Sequence, residues 1–284
     1  MSGDGGATRT LLAAARCVAS VDGIPVVLTG DCVACLGVIA GIQHRGIAAA
    51  LVWFDAHGDF HTESTTTSGY LGGLLLAKAV GRGDLTLPSA LGMSALPEEW
   101  VILSDGRDLD PAEVDALASS RVRTVAVQHL DPSVLPTGPV IIHVDLDVID
   151  PAQLRGLRFP APGGPALAAV AEAVRAVAAT RPLAALTSRP PGCRTQSIER
   201  RPTPRLKPSS SRLACHDPAA GFAGRWLVAE CGGGLVSDPL PHRDGALQLG
   251  AADELFFVEL SGVEADGAYV VVTAGRFVSL GEVG

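Results

Sequence analysis

Short apolar runs alternate with Ala-rich amphipathic segments through the first two thirds of the chain. The runs are rich in Val, Ile and Leu, and several end on Gly or on acidic residues, which is typical of buried strands. The segments between them are rich in helix formers and predict helices. The predicted strands cover residues 24–31, 49–55, 100–108, 121–127 and 139–151, with a further strand starting at Leu183. The predicted helices cover residues 11–20, 33–43, 71–80, 111–120 and 165–180.

This alternation predicts an α/β fold in which helices cover both faces of a mostly parallel sheet. In open sheets of this kind, ligands bind beyond the carboxyl ends of the strands. Three of the predicted strands carry acidic residues at that end. We therefore expect the functional chemistry of the protein at this edge of the sheet.

The pattern changes near residue 188. From Ser188 to Cys215 the chain has seven basic residues, one acidic residue, five Pro and five Ser. This composition predicts a disordered linker between an α/β domain at 1–187 and an uncertain tail at 216–284. Within the tail, residues 255–280 resemble two or three antiparallel strands. Because the change falls inside an expected core strand, a further hypothesis is that residues from about 188 onward are read out of frame.

The composition narrows the class of protein. With 47% hydrophobic and 18% charged residues among 284, the chain can bury a sizeable core. The net charge of −8 and an aromatic content of 4% argue against a nucleic-acid binder. No apolar run reaches the ~18 residues of a membrane span, and the N-terminal residues do not resemble a signal peptide. A cytoplasmic protein without a membrane partner is expected, and its six Cys are too sparse for a disulfide scaffold.

Two acidic motifs close predicted strands 90 residues apart. Asp55, His57 and Asp59 alternate along one strand end, so their side chains can converge. Asp145 and Asp147 repeat the pattern on the other. Taken alone, an Asp-x-Asp after a strand is typical of a helix cap or a solvated loop. Together the motifs favour an oxygen-rich metal site, suited to Mn²⁺ or Mg²⁺ more than to Zn²⁺.

Three sequence blocks resemble the arginase superfamily, the ureohydrolases. WFDAHGDF, followed by TTTSG, is similar to the family's DAHxD block, and HVDLDVIDP is similar to its DxDxxDP block. More weakly, LTGDCVACLG stands where the family has GGDH. The resemblance covers about residues 20–187, without part of the usual terminal elements. It implies a three-layer αβα fold, two Mn²⁺ ions, and hydrolysis of a guanidinium C–N bond by a hydroxide that bridges the metals. It also implies a small guanidino-type substrate and a homo-oligomer.

The resemblance assigns a role to each motif position. Asp55 and Asp145 match the catalytic ligands that bridge both metals. Asp59 matches a ligand of the first metal, while His57 and Asp147 match ligands of the second. Cys32 falls where the first-metal histidine is expected, and a soft thiolate is a poor ligand for Mn²⁺. The first metal should therefore bind weakly or be absent.

The same resemblance suggests where a substrate binds. Ser68 and Asp110 match residues that hold the amino-acid end of the substrate, and His61 stands in place of an asparagine that contacts its carboxylate. Gly72 replaces a histidine that shuttles protons. Gly72 and His61 argue against ordinary L-arginine specificity. Cys32, with GDF and SGYLGG downstream, is more similar to the Nω-hydroxyarginine hydrolase branch than to urea-cycle arginase. An activated substrate with a better leaving group needs less general-acid help.

Two alternatives stay open. A glutamate that the family uses to hold the guanidinium has no counterpart in the sequence, which fits a degenerate ureohydrolase-like module that binds a metal or a partner without catalysis. The Cys32–Cys35 spacing also fits a CxxC thiol redox protein, which would require a reactive thiolate at Cys32.

Overall fold

The computed structural model of the protein describes residues 4–189 and the two strands 226–231 and 268–275. The strands are β1 (Ile24–Thr29), β2 (Ala50–His57), β3 (Val101–Asp108), β4 (Arg123–Val125), β5 (Val140–Asp145), β6 (Leu183–Arg189), β7 (Trp226–Cys231) and β8 (Ala268–Gly275). The α-helices are α1 (Asp4–Ser20), α2 (Ala34–His44), α3 (Leu75–Ala79), α4 (Thr86–Ala90), α5 (Pro111–Ala118) and α6 (Leu167–Thr180).

One sheet joins all of these strands in the order β4-β3-β2-β5-β6-β1-β8-β7. The first six strands of this order are parallel, and β8 and β7 continue the sheet in antiparallel pairing at the β1 edge. The predicted α/β fold with a mostly parallel sheet is therefore confirmed. β6 includes Ser188 and Arg189, the first two residues of the predicted linker. The rest of that linker, and the tail apart from β7 and β8, lie outside the described residues.

Apolar side chains are buried on both faces of the sheet. Along β2, Leu51 and Trp53 belong to a core cluster that includes residues of α1, α2 and α3. Val52 and Phe54, which alternate with them, pack in a second cluster with α6. Neighbouring residues of a strand point to opposite faces, so a strand buried on both sides reads as a continuous apolar run. The three-layer arrangement is confirmed, and no helix among the described residues is long and apolar enough to cross a membrane.

The predicted strand at 139–151 ends early, at Asp145. Asp145 Oδ1 accepts a hydrogen bond from the backbone N–H of Asp147 at 3.1 Å, and the chain turns there into a short 3₁₀ helix over Leu146–Val148. An Asp side chain that bonds to the backbone two residues ahead competes with strand pairing. The turn leaves Asp147 beside Asp145 instead of continuing the sheet.

The predicted helix at 71–80 is also shorter than expected. Residues Leu71–Leu74 form a 3₁₀ turn, and only α3 is α-helical. The amides of Leu76 and Ala77, in the first turn of α3, donate to the backbone carbonyl of Asp59 at 3.0 and 3.2 Å. α3 is thus docked on the loop that follows β2.

Candidate metal centre

The two acidic motifs lie at the point where the chain reverses its direction across the sheet. β2 and β5 are neighbours; from β2 the chain continues to β3 and β4 on one side, and from β5 to β6 on the other. The loops diverge at such a point and leave a crevice beyond the carboxyl ends of the strands. Asp55 and His57 end β2 and Asp145 ends β5, so the crevice brings the motifs side by side.

Strand register sets which side chains face one another at this edge. Trp53 pairs with His143 across β2 and β5, and Asp145 pairs with Arg189 across β5 and β6. The Trp53 and His143 rings are 3.9 Å apart between centroids. Because alternate residues share a face, Asp55 lies on the same face as Trp53, whose indole N–H donates to Asp55 Oδ2 at 3.1 Å.

A pocket of about 300 Å³ opens at this edge of the sheet. Every residue assigned to the site from the sequence lines it. They are Cys32, Asp55, His57, Asp59, His61, Ser68, Asp110, Asp145 and Asp147. Their proximity is established, whereas their roles as ligands or substrate contacts stay predictions.

Asp55, His57 and Asp147 form a compact group of donors, with one donor atom from each within 4.8 Å of the others. His57 Nδ1 lies 3.2 Å from Asp55 Oδ1 and 3.4 Å from Asp147 Oδ2. Backbone amides orient the carboxylates, since His57 N donates to Asp55 Oδ1 at 2.8 Å and Ala56 N to Asp147 Oδ1 at 3.4 Å. His57 Nε2 lies 3.8 Å from Asp108 Oδ2, which is too far for a direct hydrogen bond.

The charges of this group fit a divalent cation. Burial and the nearby Asp147 raise the pKa of Asp55, and burial and Asp55 raise that of Asp59. Burial alone would lower the pKa of His57, but the carboxylates of Asp147 and Asp55 raise it to about 11. Asp147 Oδ2 is buried and has no hydrogen-bond donor among the described residues. Burying a carboxylate oxygen without a hydrogen-bond donor costs free energy unless a cation binds to it. Asp55, His57 and Asp147 therefore fit a metal that prefers oxygen and imidazole ligands.

Both carboxylate oxygens of Asp145 already accept hydrogen bonds from protein donors. Its Oδ2 accepts the Cys32 thiol at 2.9 Å and Arg189 Nη1 at 2.8 Å, and its Oδ1 accepts the amide of Asp147. Burial, followed by the charge of Asp145, raises the pKa of Cys32, which keeps the thiol protonated. Because the thiolate is the form that ligates metals, the Cys32 side of the pocket does not fit Mn²⁺ as a histidine would.

The surroundings of Cys32 and Cys35 do not favour the thiol oxidoreductase alternative. Cys35 lies in α2 and is fully buried, and both it and Cys32 are free thiols. Burial raises the pKa of both. Reactive cysteines instead sit in partly exposed, electropositive surroundings that favour the thiolate.

Two of the predicted substrate contacts, His61 and Asp110, lie next to each other in the pocket. His61 Nε2 is 3.0 Å from Asp110 Oδ2, and His61 Nδ1 is 3.1 Å from Thr65 Oγ1. Asp110 caps α5 in a reciprocal capping box with Glu113. Ser68 is exposed. His61 and Asp110 therefore pair with each other. Of these two side chains, Asp110 is the one with an exposed part that a ligand can reach.

Glu113 holds the loop after β2 in place. This buried side chain accepts the Phe60 amide at 2.9 Å through Oε1 and the Asp110 amide at 3.1 Å through Oε2. A Cβ at Gly58 would lie 2.7 Å from Glu113 Oε1, so the glycine of the DAHGD motif permits this close approach. Asp59 adopts a positive φ of 47°, a conformation that Asp tolerates better than most residues.

An aromatic pair forms one rim of the pocket. The Tyr70 hydroxyl donates to Asp31 Oδ2 at 2.5 Å, and the Tyr70 and Phe159 rings are 5.6 Å apart between centroids. Phe159 also meets the His57 ring edge-on at 6.2 Å. A Cβ at Gly72 would lie 2.2 Å from Tyr70 Cε1. Tyr70 thus fills the space beside Gly72, the position that the resemblance matched to a histidine.

Several residues of the site were absent from the sequence-based set. Glu113 could have been found from the D-x-x-E capping-box spacing with Asp110. Trp53 could have been found from alternation, since it stands two positions before Asp55 on the same strand. Arg189 had no local signal, because its place depends on the register of β6 against β5.

A mostly parallel sheet covered by helices, with an acidic pocket between the ends of β2 and β5, defines an α/β protein with a candidate metal centre. The arginase family profile matches residues 3–186, which is more than half of the chain. The chain therefore belongs to the arginase family.

Individual relatives are similar over part of their length. An arginase from Eremothecium gossypii is 31% identical over 198 residues, which are 64% of this chain and 50% of that protein. An N(omega)-hydroxy-L-arginine amidinohydrolase from Streptomyces lavendulae is 31% identical over 137 residues, 47% of this chain and 48% of that protein. The solved structure of an arginase from Bacillus caldovelox aligns with a TM-score of 0.60 and 26% identity, covering 64% of this chain and 67% of that one. The chain thus spans about half the length of the first two relatives.

Proposed function

We propose that the protein is a metal-dependent amidinohydrolase that cleaves a C–N bond of a guanidino or N-hydroxyguanidino substrate. The observation that carries this proposal is the group Asp55, His57 and Asp147, which converge in the pocket and leave Asp147 Oδ2 without a donor among the described residues. Membership of the arginase family supports it, as do relatives named arginase and N(omega)-hydroxy-L-arginine amidinohydrolase.

The ligand set favours Mn²⁺, because carboxylate and imidazole donors suit a hard divalent ion. Asp55, His57 and Asp147 would hold it. When bound, the cation supplies Lewis acidity and lowers the pKa of water enough to provide a nucleophile near neutral pH. Asp108 and Asp110 line the same pocket with exposed carboxylates, and their negative charge attracts a cationic guanidinium.

The volume and the lining of the pocket also indicate which substrate it suits. Its volume of about 300 Å³ is at the lower end for small-molecule sites and suits an amino-acid-sized guanidine. Tyr70 fills the space beside Gly72, so no imidazole stands there to donate a proton. The leaving amine is the same for both substrates, but the electron-withdrawing N-hydroxyl group makes a guanidine less basic and its carbon easier to attack, so hydrolysis needs less help from a protein donor. We therefore propose Nω-hydroxyarginine or a close analogue ahead of arginine.

The test is a product assay on Mn²⁺-loaded protein. Arginine, Nω-hydroxyarginine, agmatine and formiminoglutamate would be supplied separately, and urea, hydroxyurea or formamide measured. Asp147→Asn should abolish turnover, whereas Asp150→Asn should retain it, because Asp150 follows in the same motif and its Oδ1 accepts the Ala152 amide. If protein with verified bound Mn²⁺ turns over none of the four compounds, the proposal is wrong.

A second candidate function is a module that binds metal without catalysis. The observation that favours it is the engagement of both Asp145 oxygens by Cys32, Arg189 and the Asp147 amide. Bound metal without turnover of any of the four compounds would select it. Bound metal with turnover would exclude it.

A further inference from the structure

We infer that Arg189 is a built-in counter-ion that takes the place of the Cys32-side metal, so that the pocket holds a single divalent cation on Asp55, His57 and Asp147. The inference rests on the proposed metal-dependent function and names how many ions the same site accepts. It follows from where β6 ends, from the contacts of the guanidinium, and from the charge of the pocket.

The sheet itself delivers Arg189 to the pocket. Arg189 is the last residue of β6 and pairs in parallel register with Asp145, the last residue of β5. Paired residues of neighbouring strands project their side chains to the same face. The two side chains therefore meet without any loop rearrangement, and Arg189 is only 7% exposed.

The guanidinium is held by several groups at once. Nη1 donates to Asp145 Oδ2 at 2.8 Å and lies 3.6 Å from Asp147 Oδ2. Nε donates to the Gly30 carbonyl at 3.4 Å, and Cζ lies 5.9 Å from the centre of the Phe159 ring. A side chain with this many partners is a fixed part of the site.

The charge of the pocket explains why a cation belongs there. Seven acidic side chains line the pocket, and Arg189 is the only Arg or Lys among the described residues that line it. Asp55, Asp59, Asp145 and Asp147 are among the acidic side chains that are buried. Arginine stays protonated in proteins. It therefore neutralises part of this charge permanently, without metal.

The same position excludes a second metal ion. In the resemblance, Asp145 bridges the two ions, but here its Oδ2 accepts both Arg189 and the Cys32 thiol. A cation beside Cys32 would have to displace the guanidinium and would be repelled by it at short range. In the group of Asp55, His57 and Asp147, the Asp147 Oδ2 atom accepts no hydrogen bond from the described residues and stays available to one ion.

The experiment counts bound Co²⁺, which accepts both carboxylate and thiolate ligands. Purified full-length wild type, Arg189→Gln and Arg189→Lys would be dialysed to equilibrium against Co²⁺, with bound metal measured by elemental analysis and thiolate–cobalt charge transfer by near-ultraviolet absorption. Arg189→Lys is the matched control, because it keeps the positive charge. We expect one ion per chain and no thiolate band for wild type and Arg189→Lys. We expect two ions, a twofold increase, with a thiolate band for Arg189→Gln, and loss of that band when Cys32→Ser is added.

Two ions in the wild type, none in the wild type, or equal numbers in wild type and Arg189→Gln would overturn the inference. If wild type and Arg189→Gln bind equal numbers of ions, and Arg189→Gln binds guanidinium chloride more tightly than wild type, Arg189 mimics a substrate instead. Should Arg189→Gln not fold, the wild-type count and its absorption spectrum still decide, because two ions or a thiolate band in the wild type contradict the inference. Hydrolysis is measured on separate samples, so one bound ion without turnover would refute the proposed function alone.

Discussion

Replacement of Glu113 by alanine should destabilise the protein and loosen the metal pocket together. Glu113 is buried and reaches across 53 residues of sequence to accept the Phe60 amide at 2.9 Å, while its other oxygen accepts the Asp110 amide at 3.1 Å. A buried donor left without its partner costs about 1–3 kcal/mol. Two such donors give about 2–6 kcal/mol in total, and the value should fall in the lower half because Asp110 lies at an exposed helix end that water can reach. This is a large share of the roughly 5–15 kcal/mol that stabilises a typical domain.

The free energy of unfolding would be measured by urea denaturation, followed by circular dichroism. Glu172→Ala, an exposed change within α6, is the matched control and should lie within about 0.5 kcal/mol of wild type. Glu113 also packs against Gly58, which follows the proposed ligand His57 directly. Glu113→Ala should therefore also weaken metal binding by about 10-fold, a size typical of groups that support ligands. A variant as stable as Glu172→Ala would refute the view that Glu113 fixes the loop after β2.

Two further substitutions test the surroundings of the pocket. Trp53→Phe removes the indole donor to buried Asp55 and should lower the free energy of unfolding by about 1–3 kcal/mol, measured by urea denaturation; unchanged stability would mean that the indole hydrogen bond contributes nothing. Gly72→Ala places a Cβ 2.2 Å from the Tyr70 ring and should destabilise by about 1–3 kcal/mol, whereas Gly73→Ala, with open space around it, should have little effect on the melting temperature. Adding Tyr70→Ala should remove most of the penalty at Gly72, and equal penalties with and without Tyr70 would show that the ring is not the obstacle.

Much of the site could be inferred from sequence because its acidic residues stand directly at the ends of the predicted strands. Asp55 and Asp145 close apolar runs, and parallel strands bring such ends to one edge. The shortened elements could not be inferred in the same way. The strand before Asp147 stops because the Asp145 side chain captures a backbone amide, and the helix before residue 80 starts late because its first amides dock on the Asp59 carbonyl. Both effects depend on contacts that a hydrophobic pattern does not record.

The sequence by itself determined the α/β class and the acidic edge of the sheet. Both follow from local properties, namely the apolar run that forms each strand and the residue at its carboxyl end. Only the tertiary structure decided which group neutralises the negative charge at that edge. Arg189 meets Asp145 across 44 residues of chain through strand register, in a segment whose composition predicted a linker. Register is set by the packing of the whole sheet, because a one-residue slip of β6 would turn the guanidinium to the opposite face.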